Sequence, residues 1–193
     1  MKKNLKKEKG GFTLSSPGIE ILQYDKRWAE TFKLIKVVIS NSLSDLIIDI
    51  EHVGSTSIIG LAAKPILDID IVIEDNSVFP NVISKLEKIG YYYQEEWSFR
   101  GREAFGRKDE LTPWDGKDTQ WMEHHLYVCN KDSEELARHL AFRDYLRNNQ
   151  EAVIEYENLK KTLANSVINR TSYTSGKSEF ISGIFKKSSK NQK

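Results

Sequence analysis

Cysteine is nearly absent from this chain: Cys129 is the only one in 193 residues. A lone thiol excludes an intramolecular disulfide and any zinc site built on paired cysteines, and it suits a reducing compartment, so a cytoplasmic protein is expected. Long apolar runs are missing as well. Nothing approaches the roughly 18–20 residues that a membrane-spanning helix requires, so no membrane role is expected. The basic start MKKNLKKEKGG is not followed by an apolar stretch and does not read as a secretory leader. Net charge of one sign is scarce, with 29 Lys and Arg against 28 Asp and Glu. That balance hides an uneven distribution. Residues 1–11 carry five lysines and one glutamate, and residues 186–193 carry four lysines and no acid. What lies between is acidic, with 20 basic and 27 acidic residues. A duplex-binding protein usually has a basic body, so no specific nucleic-acid partner is expected. Residues 1–11 and 188–193 read as disordered basic tails around a single domain over 12–187.

What the chain does have is a core and a mixed order of elements. Hydrophobic residues make up 39% of it. An edge strand is expected near Ile19–Gln23. Asp25 can cap a helix to Ser42, in which Trp28, Phe32, Ile35, Val38 and Ile39 form one apolar stripe. Strands are expected at Leu46–Val53 and Ile66–Ile73, separated by a turn and a short helical segment over Gly54–Lys64 that Pro65 interrupts. A helix from Asn76 or Ser77 to Ile89 ends at Gly90. Tyr91–Phe99 and Ala104–Lys108 read as paired strands joined at Gly101, Leu111–Gln120 as a loop, and Trp121–Cys129 as a further strand. Asp132 with Glu135 resembles a capping box opening a helix to Asn148. A second helix follows over Glu151–Val167, with Tyr156, Leu159, Leu163 and Val167 on one stripe, and a last one over Ser178–Lys187. Strands that do not alternate regularly with helices argue for α+β, with a mixed or antiparallel sheet flanked by helices and a helical C-terminal part.

The stretch HVGSTSIIGLAAKPILDID, residues 52–70, carries the chemistry. Residues two apart in a strand share a face, so Asp68 and Asp70 point one way while Leu67, Ile69, Ile71 and Ile73 point into the core. Adjacent carboxylates repel, and a divalent cation removes that cost; Mg²⁺ takes one or two carboxylates together with phosphate oxygens and water. The plainer alternative is a half-solvated sheet face. Upstream, Gly54 and Ser55 follow a strand, and small residues there let backbone N–H groups approach an anion.

This pattern of apolar-Gly-Ser followed by Asp-apolar-Asp resembles the nucleotidyltransferase signature of the polymerase-beta-like superfamily, and within it the GrpB-like family. Tyr24-Asp25-Lys26-Arg27-Trp28, the His124-His125-Leu126-Tyr127-Val128 strand, the Arg138–Leu146 run RHLAFRDYL and the closing Tyr173 to Lys177 resemble that family's motifs, over about residues 19–185. The resemblance implies a minimal nucleotidyltransferase fold. It also implies that Gly54 and Ser55, with Thr56, hold nucleotide phosphates and that Asp68 and Asp70 bind Mg²⁺ (or Mn²⁺) for attack on the α-phosphate. A third carboxylate is expected on a later strand. His125 stands where it should be, and Glu123 is the nearest acid. Histidine suits Mn²⁺ or Zn²⁺ better than Mg²⁺, or contacts phosphate instead.

Further phosphate-binding candidates are Lys64, Arg100, Arg102, Arg107, Arg138 and Arg143. Each has a plainer reading as solvated surface or as an ion-pair partner, for example of Glu135 or Asp144. Ser175-Gly176-Lys177-Ser178 looks like the end of a P-loop, but Thr171 stands where its first glycine is needed. Trp97, Trp114 and Trp121 can stack a base or simply pack. Two functions are therefore expected in competition. One is transfer of a nucleotidyl group from a nucleoside triphosphate to a small acceptor. The other is a non-catalytic module binding a nucleotide or CoA-type ligand, which the missing third acid favours.

Overall fold

A computed structural model describes residues 20–166 and 170–190. The expected tail at 1–11 and the residues from 191 onward lie outside the described residues, as do Ile19 and Val167. Five strands form one mixed sheet in the order β1-β2-β5-β4-β3. They are β1 (Asp49–Val53), β2 (Leu67–Ile73), β3 (Tyr91–Tyr93), β4 (Glu103–Arg107) and β5 (His124–Asn130). β2 runs parallel to β5 and antiparallel to β1, while β4 is antiparallel to both β5 and β3. Among the described residues six α-helices accompany the sheet: α1 (Arg27–Leu43), α2 (Phe79–Lys88), α3 (Glu134–Arg147), α4 (Gln150–Ser166), α5 (Arg170–Ser175) and α6 (Ser178–Lys190). This is the expected α+β architecture with a helical C-terminal part. Among the described residues no helix is long and apolar enough to cross a membrane.

The period-two pattern decides which face of the sheet is core. Leu67, Ile69 and Ile71 of β2 join Leu126 and Val128 of β5 in one cluster, closed by Ile35 and Ile39 of α1 and Val82 and Leu86 of α2. The stripe on α1 is as expected, with Phe32 and Val38 packed at its margin. The opposite face turns from apolar to polar along β2. Val72 and Cys129 pack on Leu136 of α3, and the chain then presents Asp70 and Asp68. A second apolar cluster joins Phe142 and Leu146 of α3 to Val153 and Tyr156 of α4 and Ile184 of α6. These helices cover the polar half of that face.

Several boundaries differ from expectation for local reasons. Leu46 belongs to a short 3-10 turn, so β1 begins at Asp49. After Gly54 only Ser55–Ser57 is helical, a single 3-10 turn, and Ala63 bridges back to Leu22 in place of an edge strand. The Asp75 carboxylate accepts from the Ser77 amide, holding a turn that delays α2 until Pro80 can sit in its first turn. β3 stops at Tyr93 because a 3-10 turn at Glu95–Trp97 intervenes before Gly101, at φ 95°, reverses the chain. Trp121 is held outside β5 by bonds from its amide to the Glu110 carbonyl and from its indole to the Pro113 carbonyl. Ser133, not Asp132, caps α3, its hydroxyl oxygen accepting from the Leu136 amide. In α4 the buried positions are Ala152, Val153, Tyr156 and Lys160, and α6 runs on to Lys190, past the expected end at Lys187.

Candidate functional site

Asp68 and Asp70 lie two residues apart in β2 and share its polar face. Asp70 is fully buried, whereas about a third of the Asp68 side chain is exposed. Each is held by a histidine from a different element. The Nδ1 of His125, its register partner in β5, donates to Asp68 Oδ1 at 2.9 Å. The Nδ1 of His139, in α3, donates to Asp70 Oδ2 at 2.7 Å. Asp70 Oδ1 is buried with no hydrogen-bond partner among the described residues, an arrangement that costs free energy unless a cation or water completes it. The imidazole of His139 is itself mostly buried, which alone would depress its pKa. The hydrogen bond and charge of Asp70, with Glu135 and Asp68 beyond, outweigh that burial and raise it.

Gly54 fixes the other wall. Its φ of 68° and ψ of −172° lie in a region essentially confined to glycine. It also lies against the Asp68 carboxylate, so that an added Cβ would overlap it, 2.9 Å from Cγ. The turn and the carboxylate are therefore in van der Waals contact. From them opens a cavity of about 510 Å³ whose floor is Gly54, Ser55 and Asp68. Arg102 and Tyr127 form one side, and Glu135, Arg138 and His139 of α3 a second. Lys177 and the start of α6 close the third. The Arg102 guanidinium is sandwiched between Phe99 and Tyr127, 4.4 and 4.3 Å from their ring centroids. Its Nε is buried without a hydrogen-bond partner among the described residues. Arg102, Arg138, His139 and Lys177 thus line a cleft that has the Asp68 carboxylate at its floor and Glu135 on one side, with Asp70 buried beneath the surface, a charge distribution suited to an anion bound with a cation.

The sequence profile of the GrpB protein family matches residues 18–187. The chain belongs to the GrpB family. It is 34% identical to the BH1888 protein of Halalkalibacterium halodurans over 88% of this chain and 82% of that one. Among solved structures it is similar to the conserved protein GrpB from Enterococcus faecalis, at 31% identity and a TM-score of 0.73, covering 90% of this chain and 99% of that one. A weaker likeness is to the Cid1 poly(U) polymerase, at 11% identity and a TM-score of 0.44 over 68% of this chain and 41% of that one.

Within this GrpB-family fold the expected site residues separate into two groups. Gly54, Ser55, Asp68, Arg102 and Arg138 meet at the large cavity, and Lys64 and His125 at a smaller one that adjoins it. The others are engaged elsewhere. Thr56 is buried, donates to the Ile66 carbonyl and lies 3.0 Å from His52 Nε2, so its hydroxyl serves the turn. Arg143 donates to Glu51 at 2.5 Å and Asp144 at 2.7 Å, tying α3 to β1. Arg107 spends its guanidinium on carbonyls of Glu110, Thr112, Trp121 and Met122, pinning the loop ahead of β5. Arg100 is exposed on the hairpin turn. Glu123 is exposed just before β5, where its charge acts on Arg107; β5 sets His125 and Tyr127 opposite the aspartates instead. Among the described residues no group of three or more His, Cys, Asp and Glu side chains is arranged to hold a metal. Sequence reasoning missed His139 as the partner of Asp70, although its spacing of four from Glu135 places both on one side of α3. It also missed Lys160, whose burial nothing in a lysine announces.

Proposed function

We propose that this GrpB-family protein binds a nucleoside triphosphate with Mg²⁺ (or Mn²⁺) and transfers its nucleotidyl group to a small hydroxyl- or phosphate-bearing acceptor. The observation that carries the reading is the Asp68–Asp70 pair on one strand face: Asp68 lies against the Gly54 turn at the floor of a cavity lined by Arg102, Arg138 and Lys177, and Asp70 is fully buried with an oxygen that lacks a partner among the described residues. Two carboxylates on one strand face fit an oxygen-preferring divalent ion that completes its shell with phosphate and water. Asp68 and Asp70 would hold the ion, which when bound neutralises charge on the phosphates. The chain's own residues do the rest. The Gly54–Ser55 turn seats phosphate oxygens, and Arg102, Arg138 and Lys177 balance their charge. Burial of Asp70 behind His139 keeps water from that carboxylate. In the transfer the acceptor oxygen bonds to the α-phosphorus and the bond to the bridging oxygen breaks. Pyrophosphate leaves, and the acceptor's proton passes to the Asp68–His125 pair, about a third of which is exposed.

A second reading is a non-catalytic module for a nucleotide or CoA-type ligand. What favours it is that both aspartates already accept from histidines, and that His125 and Tyr127 occupy the positions facing them on β5. Incubation with each of the four nucleoside triphosphates, Mg²⁺ and a panel of small acceptors, followed for pyrophosphate release, separates the two. Release abolished by Asp68→Asn supports transfer. Nucleotide binding without release supports the module, and release indifferent to Asp68→Asn refutes the site.

A further inference from the structure

The 3-10 turn Ser55–Ser57 stands between two cavities. Ser55 lines the large one; Ser57 lines another, of about 460 Å³, which has no lining residue in common with it. Around this second cavity α1, the Ser57–Ile59 stretch and the junction of α3 with α4 come together. Its lining is mostly apolar. Phe32 stacks on the His52 imidazole, with 4.6 Å between ring centroids and 17° between planes. Ile58, Leu146 and Val153 add buried aliphatic surface. His52 is 6% exposed and lies 3.0 Å through Nε2 from the Thr56 hydroxyl. Burial above all brings its pKa down to about 4, so near neutral pH the ring is a flat, uncharged part of the wall. The charged residues of the lining are Lys33 and Arg147, and neither Asp nor Glu is among them. Arg147 donates from Nε and Nη2 to the Ser57 carbonyl, at 3.2 and 3.0 Å. The acid beside it, Asp144, is 3.9 Å from its Nη1 but is bonded to Arg143 at 2.7 Å. Burial first and the charge of Arg143 second lower the Arg147 pKa against the pull of Asp144 and Glu51, as expected of a cation that its surroundings do not fully offset. Lys33, exposed on α1, makes no ion pair among the described residues. A partly aromatic enclosure of this size suits a small molecule. Burial of its hydrocarbon body would supply affinity, and the cations would fix an anionic head. Two cations suit one such head, not a polyphosphate.

We propose that this cavity is a second ligand site, for a small aromatic acid. Its flat hydrocarbon body packs against Phe32, Ile58 and Leu146, and its single carboxylate is held by Lys33 and Arg147. The inference does not depend on nucleotidyl transfer. Ser57 belongs to the wall, and its hydroxyl donates to the Gly54 carbonyl at 2.7 Å. A ligand here therefore rests on the back of the turn whose other side lies against Asp68.

The test is calorimetric titration of the full chain, at neutral pH and low ionic strength, with 2-naphthoate and with its uncharged amide, 2-naphthamide. Naphthoate is expected to bind with a Kd of about 0.1 mM, the affinity that about 13 non-hydrogen atoms provide at ordinary ligand efficiency. The amide should bind about fivefold or more weakly, for want of the charge. Lys33→Glu and Ile59→Asp are the variants, because both positions line the cavity and are exposed, so the fold does not depend on them. Each places a negative charge at the cavity and should weaken naphthoate about fivefold or more, while Lys33→Arg retains most of the affinity. Asp68→Asn should leave naphthoate binding unchanged. Absence of naphthoate binding, equal binding of acid and amide, or affinity indifferent to both Lys33→Glu and Ile59→Asp overturns the proposal. Loss of binding in Asp68→Asn would put the acid in the large cavity and overturn it as well. The expected pattern in a protein without nucleotidyl transfer upholds this site and counts against the proposed function alone.

Discussion

Replacing Gly54 by alanine tests whether the turn and the carboxylate are built as one unit. Two costs add at this position. The backbone conformation, φ 68° and ψ −172°, is open to glycine and sparsely populated by other residues, at about 1–3 kcal/mol for a side chain forced into it. The new Cβ would also fall 2.9 Å from Asp68 Cγ, so either the turn or the carboxylate must move. Asp68 is anchored by its bond to His125, and giving up a charge-assisted bond of that kind costs about 1.5–3 kcal/mol. The sum, about 2.5–6 kcal/mol, is a large fraction of the roughly 5–15 kcal/mol that holds a domain of ordinary stability. Gly60 supplies the control, because it has a similar φ of 83° and nothing within 4 Å of its would-be Cβ. Urea unfolding of Gly54→Ala and Gly60→Ala should therefore differ by about 1.5 kcal/mol or more, the share owed to Asp68. Equal losses would refute the claim that Gly54 and Asp68 are in structural contact.

Acid should destabilise the protein through two neutral, buried imidazoles. Burial above all brings His52 and His124 to about 4 from the ordinary 6.5. Because the unfolded chain takes up these protons first, the stability they confer is complete above pH 6.5 and is lost as pH falls toward 4, by about 3 kcal/mol for each. His139, whose pKa is raised, acts in the opposite sense, so the effect is read by difference. Urea midpoints between pH 7 and 4.5 should fall less steeply in His124→Gln than in the unmodified protein, and identical slopes would contradict the assignment. Removing Arg143, which is 9% exposed and bonded to Glu51 and Asp144, should cost about 2–3 kcal/mol, less than a fully buried pair because both acids reach solvent. Nucleotide affinity should be unchanged in Arg143→Ala once the protein is folded; a large loss of affinity in the folded variant would return Arg143 to the binding site.

Much of the fold was legible because period and composition report directly on burial. The alternation in Leu67–Ile73 told which side of β2 is core, and the stripe on α1 did the same for the helix above it. Boundaries slipped where a single polar contact outweighed the pattern, as where Ser133 rather than Asp132 caps α3, or where the indole bond of Trp121 keeps it out of β5. In the site, Gly54, Ser55, Asp68 and Asp70 could be found from sequence because neighbours in one turn and one strand stay together in the fold. Arginines could not be sorted the same way. Arg102 and Arg143 look alike as residues, yet one is stacked at the cavity and the other is consumed between α3 and β1. Long-range partners were the hardest, since the 69-residue separation of Asp70 from His139 and the burial of Lys160 arise only when α3 and α4 pack over the sheet.

The central claim is that Asp68 and Asp70 bind a nucleotide together with a divalent cation on the Gly54–Ser55 turn. Titration of the full chain with a non-hydrolysable nucleoside triphosphate, in Mg²⁺ and again in EDTA, tests it most directly. Affinity should rise about tenfold or more with Mg²⁺, and that gain should vanish in Asp68→Asn while the folded state persists. Binding that is equal with and without Mg²⁺, or a Mg²⁺ gain that survives Asp68→Asn, would contradict it.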